Sequence, residues 1–287
     1  MHYKPLLSIL IMLVLATMAC GITIDIPVDR IEVGPTQRKD IFVEQPDALE
    51  AEVILEFGAG ELDLSPGAED ALIIGEATYN LDELEPVVEV DGERVRISTG
   101  DRDFSGIPKI GENLENRWNL ELGELPIKLE IQAGGYQGDF ELGGLALESL
   151  DVSDGAADVQ LKFSKPNPVE MDSFKYTTGA SNLRLTGLAN ANFSSMVFRS
   201  GAGDYRLDFS GDLRRDAVVN IESGLSRIVI RVPRDTNAVI YYQGGLASVL
   251  NRGAWQQSGS EYTVDGIGPK LIINIDLGAG SLELETE

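Results

Sequence analysis

From about residue 51 to the end, apolar and polar positions alternate with a period of two, and short Gly- and Ala-rich corners interrupt the alternation. Val53-x-Leu55-x-Phe57 leads into Gly58-Ala59-Gly60, and Leu62-x-Leu64 resumes the pattern. The same arrangement surrounds Gly155-Ala156-Ala157, Gly179-Ala180-Ser181, Gly201-Ala202-Gly203, Gly224-Leu225-Ser226 and Gly278-Ala279-Gly280, with looser copies at Gly134-Gly135 and Gly244-Gly245. Alternation of this kind predicts strands with one buried face. Glycine at a corner is expected to supply the positive φ of a sharp bend, and the small neighbour to leave room for stacking.

Ala156, Ala180, Ala202 and Leu225, the middle residues of four successive corners, are spaced by 24, 22 and 23. A unit of that length cannot bury its own apolar face, but stacked units bury one another's. The pattern predicts an all-β, single-domain β-solenoid, read as a right-handed β-helix with rungs of about 22 residues. A β-sandwich shares the alternation but not the near-constant spacing. Residues 129–287 form the regular repeats, and 48–128 read as a less regular N-terminal β region. The latter holds the hairpin signal Asp91-Gly92 and a segment around Trp118, and is suited to cover the strand edges at the open end of the stack.

The first residues are of another kind. His2 and Lys4 precede an apolar run from Leu6 to Ala19, and no charge appears between Lys4 and Asp25. Residues 1–19 therefore read as a secretory signal peptide, being shorter than the roughly 20 apolar residues of a membrane span. Cys20, the sole cysteine, stands directly after it. The run Leu15-Ala16-Thr17-Met18-Ala19-Cys20 resembles a bacterial lipoprotein signal, in which that Cys becomes the lipidated first residue; the alternative is an uncleaved signal anchor. Either places the bulk of the chain outside the cytoplasm. Residues 20–47, with Pro27, Pro35 and Pro46 and no sustained periodicity, read as the lipidated Cys and an extended tether.

Charge and composition exclude several functions. With 47 acidic and 23 basic side chains the net charge is −24, which repels phosphate backbones, so no nucleic-acid partner is expected. The single His lies in the leader, so the mature chain has none for a Ser-His-Asp triad or a His zinc site. No disulfide or thiol chemistry is open to it beyond Cys20.

The combination of Leu-Glu-Phe-Gly-Ala-Gly-Glu-Leu-Asp-Leu at 55–64, Ala-Thr-Tyr-Asn at 77–80, Asn-Arg-Trp-Asn-Leu at 116–120 and Gly-Ala-Gly-Ser-Leu-Glu-Leu at 278–284 resembles the bacterial toast-rack proteins, a family related to cell-wall-active-antibiotic response and "putative adhesin" β-solenoids. The resemblance implies a solenoid exposed on the envelope, often membrane-anchored, with no established enzymatic activity. It brings no catalytic or binding residues. Leu225 and Leu246 depart from the small residues usual at corners, which implies two wider rungs.

Three kinds of candidate chemistry stand out. Asp101, Asp103, Ser105 and Glu112 fall at positions 1, 3, 5 and 12 of a calcium-loop template, with Gly106 at the turn. Pro108 and a preceding strand pattern speak against a calcium site and for a solvated acidic loop; no other cofactor is expected. Secondly, stacking the rungs places Asp204, Asp208, Arg184 and Arg206 in one outward strip, with Asp158, Asn182 and Arg227 beside it. Such a strip fits an elongated polar polymer such as a glycan, or is simply a solvated face of mutually neutralising charges. Thirdly, Trp255 in its polar turn and the pair Tyr241-Tyr242 offer flat faces to sugars, whereas Trp118 reads as packed. The expected role is non-enzymatic: a lipid-anchored, extracytoplasmic scaffold for binding, adhesion or envelope stress. Its expected partners are the membrane, envelope glycans, other envelope proteins or cationic peptides drawn by the negative field. The competing reading is a polysaccharide-cleaving β-helix enzyme using a carboxylate pair.

Overall fold

A computed structural model describes residues 30–31, 33–99, 107–108 and 114–287. The chain divides into two units. Of the first, Met1–Glu32 with Phe104–Ile110, the described part is a two-residue parallel pair, β1 (Arg30–Ile31) against β7 (Ile107–Pro108). The second, Val33–Asp103 with Gly111–Glu287, is built on one 15-stranded sheet. Its strands are β2 (Gln37–Glu44), β3 (Ala51–Pro66), β4 (Ala71–Tyr79), β5 (Val87–Asp91), β6 (Arg94–Ser98), β8 (Asn116–Leu122), β9 (Ile127–Glu141), β10 (Leu147–Lys162), β11 (Met171–Thr186), β12 (Phe193–Asp208), β13 (Ala217–Val232), β14 (Asn237–Arg252), β15 (Gln256–Ser258), β16 (Glu261–Val264) and β17 (Lys270–Thr286).

The long strands stack in parallel in the order β3-β9-β10-β11-β12-β13-β17-β14, and each runs through one corner. In β11, Phe174, Tyr176 and Thr178 point inward before the corner and Ser181, Leu183 and Leu185 after it. Gly179 and Ala180 are both exposed, so the alternation shifts phase there and both arms turn their apolar sides to one interior. Return segments supply further inward residues, such as Leu188, Ala189 and Ala191 between β11 and β12. Aromatic rings continue from rung to rung: Phe163 meets Phe174, and Phe174 meets Phe193, each edge to face at 6.2 Å. Asn167, fully buried, donates to the Leu147 and Ala191 carbonyls at 2.7 and 3.1 Å and so ties three successive turns together. The β-solenoid expected from the spacing is the fold observed.

The corners work differently from the expectation. Gly58, Gly134, Gly155, Gly179, Gly201, Gly224, Gly278 and Gly245 form a column in which each residue after Gly58 faces the carbonyl oxygen of the one before it. A β-carbon at Gly201 would stand 2.5 Å from the Gly179 oxygen, and one at Gly278 would stand 2.8 Å from that of Gly224. Glycine is therefore required there by close backbone approach. Positive φ belongs instead to the third corner position in some rungs, as at Gly60 (134°) and Gly280 (124°). The middle corner residues point outward, which is why Leu225 (63% exposed) and Leu246 (88%) fit without widening the rungs; both stay in register with Ala279.

Two further departures concern the ends. Within the segment read as a tether, Gln37–Glu44 is a sheet strand, β2, paired antiparallel with β4 and burying Ile41 and Val43. At the other end the strands do not stack in chain order. β17 enters between β13 and β14, and the antiparallel hairpin β15–β16 then lies along the start of β14. The irregular region near the N-terminus covers the first rung as expected. β6 pairs with the first arm of β3 and β8 with the second, while β4 and β2 continue the sheet beyond β8.

Candidate functional site

The register fixes which outward side chains meet. On the second arm, downstream of the corner, Asp158 lies against Asn182, Asn182 against Asp204, and Asp204 against Arg227. One step along, Gln160, Arg184 and Arg206 are consecutive, followed by Val229. Lys162, Thr186, Asp208 and Arg231 form the next column. The strip expected from the spacing is thus assembled in the positions assigned to it.

Its charges are not uniformly neutralised. Arg227 reaches Asp204 at 3.1 Å and Glu283 at 3.0 Å, and these contacts push its pKa above its ordinary value. Arg231 pairs with Glu285 at 3.2 Å and Glu287 at 3.1 Å, and Arg252 reaches Glu283 at 2.6 Å. Asn182 donates to Asp158 at 3.2 Å. Among the described residues no carboxylate lies within ion-pairing distance of Arg184 or Arg206, although they sit directly opposite each other on adjacent strands. Neighbouring strands are about 4.8 Å apart, and like charges facing across such a gap are destabilising. The two guanidiniums border a shallow depression of about 220 Å³ that crosses β10 to β13, lined also by Asp158, Gln160, Asn182 and Asp204.

On the same arm nearer β3, Asp63 and Asp139 are register partners. Burial, and then the Asp139 charge, raise the Asp63 carboxyl above its usual pKa. Among the described residues no group of three or more His, Cys, Asp or Glu is placed to hold a metal ion.

Inside the corner lies a polar cluster missed by sequence reasoning. The Asp154 carboxylate accepts hydrogen bonds from Tyr176 at 2.9 Å, from Thr178, from Ser181 at 3.4 Å and from Tyr136 at 3.5 Å. Burial raises its pKa against the lowering effect of these donors. The column continues through Ser200, which donates to Ser223 at 2.8 Å. The signal was available: Asp154 occupies the inward phase set by Leu150 and Val152, where a charge is out of pattern. With one carboxylate and hydroxyl donors only, the cluster ties rungs together and lacks the second carboxylate that glycoside hydrolysis needs.

Other candidates fare variously. Asp101, Asp103, Ser105 and Glu112 lie outside the described residues, as does Cys20. Trp118 is fully buried, edge to face with Phe57 at 5.0 Å. Trp255 is only 5% exposed, which removes it as a surface contact; its ring packs into the core under the end of the stack. Tyr241 remains on the surface. Among the described residues no helix is long and apolar enough to cross a membrane.

Stacked corner-bent parallel strands with outward columns of polar side chains define a β-solenoid. Residues 32–173 match the sequence profile of the N-terminal domain of toast_rack, DUF2154, and the chain belongs to the toast-rack family. No curated protein matches it. Among solved structures it is similar to a "putative cell adhesion protein" from Clostridium sporogenes, with 21% identity over 88% of this chain and 100% of that one and a TM-score of 0.49. It is also similar to a "putative adhesin" from Bacteroides fragilis (13% identity, 87% and 97% coverage, TM-score 0.43) and a "putative lipid binding protein" from Parabacteroides distasonis (14%, 89% and 99%, TM-score 0.39).

Proposed function

We propose that this chain is a non-enzymatic binding scaffold of the bacterial envelope, lipid-anchored through Cys20, and that its second-arm face holds an extended acidic polysaccharide. The observation that carries this reading is the pair Arg184–Arg206, two guanidiniums in register and, among the described residues, without carboxylate partners, in a chain of net charge −24. A planar guanidinium presents a fork of donors to a carboxylate, and a bound anion between the two relieves their mutual repulsion. The depression crosses successive rungs, and the pitch of one rung is close to the length of one pyranose in an extended chain. Binding at so exposed a site is weak per contact and sensitive to salt.

One observation favours a second reading, a carboxylate-dependent hydrolase: Asp63 and Asp139 face each other with the Asp63 carboxyl raised in pKa. A single experiment separates the two. The full chain in detergent is incubated with polygalacturonate or a neutral glucan, and both retention and released sugar ends are followed. The scaffold reading expects retention of the acidic polymer alone, no release, and loss of retention in Arg184→Glu/Arg206→Glu with an unchanged melting temperature. Retention by that double variant removes the arginine pair from the reading. Time-dependent release that stops in Asp63→Asn makes the protein an enzyme.

A further inference from the structure

The two ends of the stack are treated unequally. At the near end β6 and β8 cover β3, and the outermost strand, β2, carries Arg38, Lys39, Asp40 and Glu44. At the far end β16 pairs with β14 only along Ala238–Tyr241. Among the described residues no strand pairs with the outer edge of β14 from Gln243 to Arg252. An uncovered edge presents backbone N–H and C=O groups as a template for another strand, and natural sheets guard such edges with charge, proline or a bulge. This edge is unguarded: from Asn237 to Asn251 there is neither a charged residue nor a proline. Leu246 and Leu250, 88% and 46% exposed, lie along it.

We propose that the uncharged stretch Leu246–Leu250 of β14 pairs antiparallel with the same stretch of a second copy, Ser248 opposite Ser248 and Leu246 opposite Leu250, to form a closed two-fold dimer. Charge argues for a second copy as the occupant. Two molecules of net charge −24 repel across most of their surfaces, and β14 is the long strand that brings no carboxylate of its own to a shared seam. Geometry agrees. An antiparallel pair about a two-fold axis perpendicular to the sheet keeps the outward faces of both copies on one side and uses each edge once, so assembly stops at two. The hairpin β15–β16 occupies the first arm of the edge and confines the pairing to the second. The charged β2 makes the near end a poor acceptor, which disfavours open-ended stacking.

The test weighs the full chain in density-matched detergent by sedimentation velocity. A dimer that dissociates on dilution is expected for the natural sequence, and a monomer for Ser248→Lys/Leu250→Lys, whose side chains both point to solvent. Ser248→Cys in a Cys20→Ser background should form an intermolecular disulfide on mild oxidation, while Asn182→Cys, in the middle of the same arm's face, should not. The disulfide result stands even if the double-lysine variant folds poorly. A monomeric natural chain, a dimer that persists with both lysines, equal cross-linking at Asn182→Cys, or growth into long assemblies would each overturn the proposal.

Discussion

At Gly201 the requirement for glycine comes from a carbonyl oxygen one rung away, not from an unusual backbone angle. Gly201→Ala should therefore force the rungs apart locally, at a cost of about 1–3 kcal/mol. Gly135 makes the internal control: a β-carbon there meets nothing nearer than the Ala156 oxygen at 3.8 Å, so Gly135→Ala should be neutral or stabilise by up to about 1 kcal/mol. Urea midpoints of the two variants measure the difference, and equal losses would refute the close-approach account. Asp154 makes a different kind of prediction. Its folded pKa lies above the ordinary aspartate value because burial disfavours the charged form. Its contribution to stability is thus fully present below the unfolded pKa and is lost as pH rises through the folded one. Asp154→Asn removes that titration, so the natural chain should lose stability relative to the variant over the pH window that opens at about 4, the unfolded carboxyl's pKa. A difference in midpoint that stays constant across that window would show the carboxyl to be unshifted.

Among the elements, those that repeat were more legible than those at the ends of the stack. The rungs β10 to β13 follow from alternation and spacing because each pairs with an equivalent strand, so one rung's pattern constrains the next. Counting outward from each corner placed Arg184 opposite Arg206 for the same reason. That neither arginine finds a carboxylate was not legible, since it depends on where Asp204 and Glu283 turn, and both turn to Arg227. β2 went unseen because its apolar content is brief, Ile41-Phe42-Val43, and its partner β4 lies across an intervening strand in the sequence. Corner residues misled in an instructive way. Leu in the middle of a corner reads as bulk that widens the rung, but the phase shift at Gly-x turns it out to solvent. Trp255 misled in the opposite sense, since polar neighbours in sequence do not prevent a ring from closing the end of an apolar interior.

For the whole molecule, order in the stack and order in the chain part company at β17. This strand lies between β13 and β14, with paired strands on both sides. Ending the chain after Pro269 therefore takes out an interior rung and leaves both β13 and β14 without their partner. Amide exchange on such a truncated chain should show protection lost in β13 and β14 together and kept in β9 to β11, because stacked repeats depend chiefly on their nearest neighbours. Loss confined to β14 would mean that β14 docks directly on β13. The same threading sets a timetable. A ribosome delivers β9 to β13 in the order in which they stack, so each finds its neighbour already made. β14 emerges before the strand it rests on, and must wait through the synthesis of the hairpin and the seventeen residues of β17. The far end of the stack is thereby finished only once β17 has been made, and a chain cut short before it is left recognisably unfinished instead of slightly shorter.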